Sequence, residues 1–577
     1  MKEKKGVRRM IVFHFAARAA RPVLFALFVL LLALPALSAR AAGDDGTAAF
    51  NVIRQFYAER DYKPLWTAGA AGSEHFTPAA RALPGMLAGA ARHGIDPETY
   101  GVARMRAMLS NDPPAGQEAY RQAELFFTYN LYAYASDLAG MKLDAATLAS
   151  VVDGDIADNL ASLAPDTKLY HALQERLALL DAEHATPTAG VPDTLSFGRN
   201  MFRPGMSAPM VPLLRARMVS FGAFDDLPAD AGQAPTLYDK QLARAVGRFQ
   251  NEYGLTDDGT IGPVTLKVLN RGGTEEREQV IANLQRLREP HRRLREDRRV
   301  EVSIARYWLK AYDAGREVLS MPVIVGQPKR QTISFRAEIT GVRLNPTWSV
   351  PPTIKKEDFI PQLLRDPARL MRRHPVKVYH DGRNVDPTRV DWSQMSPHEL
   401  MQVAFTQPAG DGNPLGRYRV IMANPYDIYL HDTNHPELFR ESMRAQSSGC
   451  VRLSRPEDLA AFILNGKQDW NAEKTAKIVK SSQTTDVVIE NKIPIYLDYL
   501  TAWFNDRDQL ILGVDVYGLD KPRYDALVKN GLTTQRNAQS ILARVPDILE
   551  PPLAEAHLEP SGSSDHKGEV IASQSTN

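Results

Sequence analysis

The hydrophobic period of this chain changes at Val300, and that change restricts the folds open to it more than any other feature. Upstream, apolar residues recur at helical spacing. AELFFTYNLYAYASDLAG (Ala123 to Gly140) shows it, as does KLYHALQERLALL (Lys168 to Leu180), where Leu169, Leu173, Leu177 and Leu180 form one stripe. From Val300 the pattern alternates: VEVSIARYWLKAYDAGREVLSMPVIVG reads as two strands with Asp313-Ala314-Gly315 as the hairpin turn. At 577 residues, 44% of them apolar, the chain is too long for one core and rich enough for several. The fold class predicted is multidomain α+β, with helical modules first and a mainly β domain after them.

Breakers and composition shifts set the expected boundaries. Residues 48–195 read as a helical scaffold domain, ending near the Pro/Gly/Thr-rich TPTAGVPDT (Thr186 to Thr194). A small helical module follows over 200–272, in which Leu242, Val246, Phe249 and Tyr253 share a stripe, Asp258-Gly259 is a turn and Pro263 opens a helix. Residues 275–299, charged with both signs, predict a solvated helical linker. The β domain spans 300–520. Proline-punctuated short helices interrupt it over about 350–412, an insertion whose size suits a helical lid. Residues 545–577 are polar and Pro/Ser-rich, a disordered tail.

Residues 1–41 read as a targeting segment: a basic stretch, the apolar run VLFALFVLLLAL (Val23 to Leu34), then Ala39-Arg40-Ala41 as a cleavage site. Twelve apolar residues fall short of the ~20 that span a bilayer. A signal peptide is expected, with an uncleaved anchor as the alternative and membrane contact only through this segment. The mature protein is expected to be exported to the periplasm. Seventy Lys+Arg against sixty-eight Asp+Glu gives a net charge of +2, which speaks against nucleic acid as a partner.

Export makes the single cysteine, Cys450 in QSSGCVRL, a question. A lone thiol is either a small buried hydrophobe or a nucleophile, and a nucleophile needs a base, because a free thiol is only a few per cent ionised at neutral pH. In YDIYLHDTN the alternation puts Ile428 and Leu430 on the core face and Tyr429 and His431 on the other, so His431 is the candidate base at a strand end. Val451 and Leu453 anchor the nucleophile segment and leave Cys450 and Arg452 facing together. Ser448-Gly449 is a compliant approach whose backbone N–H groups could converge on an oxyanion. Ser454 with Glu457 reads as a capping box for the helix that follows. His431-x-x-x-His435 has metal-ligand spacing, but Asp432-Thr433-Asn434 and Pro436 make a turn there, so no metal and no cofactor is predicted.

Two resemblances become specific at this point. The run Phe249, Gln250, Gly254, Leu255, Asp258, Gly259, Ile261, Gly262 and Pro263 resembles the three-helix peptidoglycan-binding domain. His431-Asp432-Thr433, nineteen residues before Cys450, with S-x-G-C-x-R resembles the signature of the L,D-transpeptidase (YkuD-type) catalytic domain, in its large periplasmic YcbB-like branch. GQPKRQTISF (Gly326 to Phe335), LNPTWSVPPTI (Leu344 to Ile354), NPLGRYRV (Asn413 to Val420) and NPYDIYLHDT (Asn424 to Thr433) extend the match. Most such domains carry histidine where this chain has Ser448, a departure that leaves His431 as the one base.

The resemblance implies a peptidoglycan L,D-transpeptidase acting in wall synthesis or remodelling. Cys450 attacks the carbonyl between the third residue of a stem tetrapeptide and its terminal D-alanine, and the thioester is passed to an amine on a neighbouring stem. His431 shuttles the proton, its ring oriented by a backbone carbonyl rather than by Asp432, whose side chain points the other way in a strand. The N–H of Cys450 with that of Gly449 or Ser448 would hold the oxyanion, and Arg452 would bind a stem carboxylate or brace the loop. Tyr429, Trp348 and Asn413 are pocket-wall candidates. The sequence leaves open hydrolysis of the same acyl-enzyme (L,D-carboxypeptidase or endopeptidase activity), attachment of a protein to peptidoglycan, a non-catalytic wall-binding role, and contacts with other wall-synthesis proteins.

Overall fold

A computed structural model of the chain describes residues 45–550 apart from 71–72, 111–115, 186–193, 199–200, 222–235, 291–295 and 442. The expected leader and most of the expected tail lie outside the described residues. Among those described, no helix is long and apolar enough to cross a membrane.

The N-terminal region is built on α1 (Asp45–Glu59), a short hairpin of β1 (Thr67–Ala68) and β2 (His75–Phe76), α2 (Pro78–Ala88), α3 (Val102–Ser110), α4 (Gln117–Ala139), α5 (Ala145–Val152), α6 (Ile156–Leu163) and α7 (Lys168–Ala185). Helix α4 is the central one. Its apolar residues are buried on every side, as expected of a helix hydrophobic all round. Glu124, inside it, accepts hydrogen bonds from the Tyr57 hydroxyl (2.8 Å) and the Trp66 N–H (2.9 Å), so even its buried carboxylate has partners.

A second core belongs to α8 (Val211–Ser220), α9 (Lys240–Glu252) and α10 (Pro263–Leu269). Gln250 is 1% exposed and bridges the Thr260 carbonyl, the Thr265 hydroxyl and the Gly259 N–H, which makes this motif residue a brace of the fold.

Helix α11 (Gly273–Arg288) corrects the solvated linker expected over 275–299. Val280, Ile281, Leu284 and Leu287 pack on the α7 stripe of Leu173, Leu177 and Leu180. Its buried polar side chains have partners. Arg286 pairs with Asp520, Arg288 donates to the His93 carbonyl (2.8 Å), and Asn283 exchanges hydrogen bonds with Thr501 at 2.7 and 2.9 Å. A mixed-charge sequence reads as solvated only while the partners of its charges are unknown.

The β domain contains β3 (Arg299–Ser303), β4 (Trp308–Asp313), β5 (Arg316–Gly326) and β6 (Phe335–Leu344). Strands β4 and β5 meet across the turn expected at Ala314-Gly315. The insertion then supplies β7 (Trp348–Ser349), α12 (Pro352–Ile354), a π turn (Lys355–Phe359), α13 (Ile360–Arg365), α14 (Pro367–Arg373), β8 (Lys377–His380), β9 (Arg383–Val385), α15 (Pro397–Gln402) and β10 (Ala404–Gln407). It is more than helical: its four strands form a separate sheet in the order β7-β10-β8-β9, over a core that includes Phe359, Leu363, Leu370, Trp392 and Phe405.

The main sheet is completed by β11 (Tyr418–Met422), β12 (Leu430–His431), β13 (Ala445–Ser447), β14 (Val451–Leu453) and β15 (Thr485–Asp498). In the order β5-β14-β12-β11-β6-β15-β3-β4, with β4 returning to β5, the strands close on themselves, and β13 adds to the end of β5. Closure removes unpaired edges. Helices α16 (Pro456–Leu464) and α17 (Ala472–Ser481) follow β14, and a hairpin of β16 (Ala502–Phe504) and β17 (Leu510–Leu512) follows β15.

Two final helices, α18 (Asp520–Leu542) and α19 (Val545–Leu549), were not anticipated from the sequence, and α19 replaces the start of the expected tail. Ala538, Ile541, Val545 and Ile548 enter the core of the first region.

Candidate active site

Strands β12 and β14 run parallel, with Leu430 opposite Val451 and His431 opposite Arg452. Leu430, Val451 and Leu453 are buried in the core, so alternation turns Tyr429, His431, Cys450 and Arg452 together onto the opposite face. Burying Leu430 and Val451 stabilises the sheet by about 1.5–3 kcal/mol each. That burial fixes the register, and with it the face on which thiol and imidazole lie.

His431 is 5% exposed, deeper than a strand end suggests. Its Nδ1 lies 2.5 Å from the Asp432 carbonyl, which holds a proton on that nitrogen and leaves Nε2 as the basic atom. Burial, and then the charge of Arg452, lower the imidazole pKa from 6.5 to about 3. At neutral pH it is an uncharged base. The Asp432 carboxylate accepts the N–H groups of Arg417 and Thr433, each at 2.7 Å, and so fixes the turn. Gly416 sits beneath that carboxylate at φ +61°, where a Cβ would fall 2.3 Å from it.

Cys450 is half-buried, and its Sγ–H points to the Asp427 carbonyl at 3.8 Å rather than to the imidazole. Burial pushes the thiol up from its ordinary value, against the lowering pull of a Tyr429 backbone hydrogen bond and of Arg419 and Arg452. The resting pair is therefore a thiol and a neutral imidazole.

The loop that delivers the thiol is tied from behind. Gly449 adopts φ +116°, which a side chain would strain. Its N–H donates to Ser447 Oγ at 3.1 Å and its carbonyl accepts from Thr332 Oγ1 at 2.7 Å. Of the two backbone oxyanion candidates beside Cys450, the Gly449 N–H is thus already spent. The N–H groups of Ser448 and Cys450 make no hydrogen bond among the described residues. The Ser448 hydroxyl accepts from Arg330 at 3.1 Å, and the same guanidinium forks onto Asp358 (2.7 and 3.0 Å) and Glu357 (2.7 Å) of the insertion's π turn.

Arg452 has a buried Nε with no hydrogen-bond partner, and its guanidinium enters no ion pair among the described residues. Of the pocket-wall candidates, Tyr429 lies on the thiol's face. Trp348 belongs instead to the core of the insertion, with its ring 5.9 Å from that of Phe359. Asn413 is fully buried, its amide donating to the Pro346 and Pro408 carbonyls (both 3.0 Å), and so braces the chain where the insertion rejoins the sheet. The capping box expected of Ser454 and Glu457 is absent: α16 starts at Pro456 with Arg455 as its N-cap, and Ser454 Oγ is buried without a partner among the described residues.

Sequence reasoning missed Arg419, Thr332 and Arg330 as site residues. Arg419 and Thr332 sit within runs that extend the family resemblance, but nothing local singles out either side chain, and Arg330 pairs with residues about 27 positions away.

Residues 297–489 match the family profile described as the L,D-transpeptidase catalytic domain, and both Cys450 and His431 fall inside the match. This stretch is an L,D-transpeptidase catalytic domain. Ahead of the L,D-transpeptidase domain, residues 207–269 match a "Putative peptidoglycan binding domain" and residues 51–153 a scaffold domain. A curated relative from Haemophilus influenzae, named "Putative L,D-transpeptidase", is 33% identical over 220 residues, which cover 38% of this chain and 44% of that protein. The chain therefore matches less than half of that relative's length. Among solved structures, an L,D-transpeptidase from Stackebrandtia nassauensis shares 11% identity over 54% of this chain and 97% of its own, with a TM-score of 0.20. One from Xylanimonas cellulosilytica shares 15% over 53% and 100%, with a TM-score of 0.15.

Proposed function

We propose that the chain is a peptidoglycan L,D-transpeptidase that joins the third residues of neighbouring stem peptides through a thioester on Cys450. One observation carries this reading: the lone thiol and a buried neutral imidazole share one sheet face, beside two backbone N–H groups that have no partner among the described residues. In this reading the Cys450 sulfur attacks the carbonyl preceding the terminal D-alanine, and its proton passes to His431 Nε2. The oxyanion is held by the N–H groups of Cys450 and Ser448, at about 3 kcal/mol per donor. Collapse of the tetrahedral intermediate breaks the amide, the proton on Nε2 goes to the departing D-alanine nitrogen, and the acyl-enzyme remains. His431 then takes a proton from the acceptor amine as that nitrogen displaces the thiolate. The peptidoglycan-binding region would hold the domain against its polymeric substrate, in the periplasm.

The muropeptide profile of a deletion strain complemented with the wild-type chain or with Cys450→Ala tests this. Cross-links between two third residues should return only with the wild type. Tripeptide products returning without such cross-links would overturn transpeptidation in favour of hydrolysis.

A further inference from the structure

A row of side chains crosses the outer face of the sheet at the thiol: Arg452 on β14, His431 on β12, Arg419 on β11 and Arg343 on β6, each in register with the next. Arg343 is neutralised on the far side by Asp486, which gives it both carboxylate oxygens, at 2.6 and 2.7 Å. Arg419 has no such partner. Its guanidinium carbon sits over the Tyr429 ring, 3.9 Å from the centroid, and its Nε is buried without a hydrogen bond among the described residues. No carboxylate or carbonyl among the described residues engages its fork. Asp486, the carboxylate within electrostatic range across the sheet, is already occupied by Arg343. The Asp427 carboxylate accepts a hydrogen bond from the Tyr429 hydroxyl at 3.2 Å.

A half-buried guanidinium whose Nε is out of reach of water and lacks a hydrogen bond has donors to offer, and a planar fork placed over an aromatic ring suits a carboxylate. Arg419 stands over Tyr429, which is level with Cys450, so an anion on its fork would lie on the thiol's face of the sheet. We infer that Arg419 is a specificity-determining residue that receives a free carboxylate of the donor peptide, close to the carbonyl that Cys450 attacks. This rests on the transpeptidase reading and adds to it a recognition element distinct from Arg452. Two carboxylates of a donor have the right chemistry: that of the leaving D-alanine, and any other carried on the stem.

The test measures leaving-group release by the full chain from three synthetic tetrapeptide donors: the parent, its C-terminal amide, and a peptide with every other carboxylate amidated. The wild type should prefer the parent over one of the two amidated donors by about 10- to 100-fold in kcat/KM, chiefly through KM. The donor that suffers identifies the carboxylate. In Arg419→Met that preference should fall towards unity, and Arg419→Lys, which keeps charge but not the fork, should fall between. The preference is a ratio within one protein sample, so a partly unfolded variant does not mimic the effect. If Arg419→Met slows all three donors by the same factor, or none, the inference is overturned while the transpeptidase reading stands. A wild-type chain that cleaves no donor overturns that reading and this one with it.

Discussion

Cys450, immediately before β14, and His431 on the parallel neighbour β12 lie on one face, with Cys450 level with Tyr429 and His431 one side-chain step further on, opposite Arg452. Both residues are held in their uncharged forms, Cys450 pushed up and His431 down, chiefly by burial.

A pH dependence follows. The folded His431 pKa of about 3 lies below its ordinary 6.5, so between those values the unfolded chain binds more protons and stability falls as the solution is acidified. Above pH 6.5 this contribution is fully in favour of folding. His431→Gln, which cannot titrate, should lose less thermal stability than the wild type between pH 6.5 and 4. In the wild type, alkylation of Cys450 by iodoacetamide should keep rising above pH 8. A rate already on its plateau at pH 7 would contradict a neutral resting thiol.

A carbapenem should acylate Cys450, because a strained lactam carbonyl meets the same thiol, base and oxyanion donors. Intact mass should rise by the mass of the drug in the wild type and stay unchanged in Cys450→Ala. An unshifted wild type would contradict the proposed nucleophile.

The insertion should be loosened by Arg330→Ala. Ion pairs with partners as exposed as Glu357 and Asp358 are each worth about 0.2–1 kcal/mol, so global stability should drop by no more than about 2 kcal/mol. Hydrogen exchange across residues 355–373 should nonetheless accelerate, with the core strands β6 and β15 unaffected. Equal acceleration everywhere would make Arg330 a general stabiliser rather than a tie between insertion and nucleophile loop.

Thr332→Val should unsettle the nucleophile without touching it. The hydroxyl accepts the Gly326 N–H at 2.9 Å and donates to the Gly449 carbonyl, and losing it leaves two buried backbone groups unpaired. A cost of about 1–3 kcal/mol in stability is expected. The acylation rate should fall with it, while the pH profile of thiol alkylation keeps its shape.

The common face of Cys450 and His431 was legible because it is local. Cys450, His431 and Arg452 lie in two short runs whose alternation with Leu430, Val451 and Leu453 is readable residue by residue. Arg419 was not, since nothing in RYRV tells which arginine will lack a partner until Asp486 is seen taking Arg343. Trp348 and Asn413 were misplaced for the opposite reason: an aromatic ring and an amide near a motif fit a pocket or a core equally well. The helical modules and the hairpin at Ala314-Gly315 were visible in the period. Helix α11 was misread because its buried arginines are satisfied by Asp520 and His93, far away in sequence.

The last two helices have a consequence for the order in which this protein assembles. Ala538, Ile541, Val545 and Ile548 complete a core that α1 begins, across some five hundred residues of intervening chain. Until α18 and α19 have been synthesised, the apolar residues of the N-terminal region that they cover have no packing partner from that side. A chain cut off before α18 could keep an intact catalytic sheet and still fail at its opposite end.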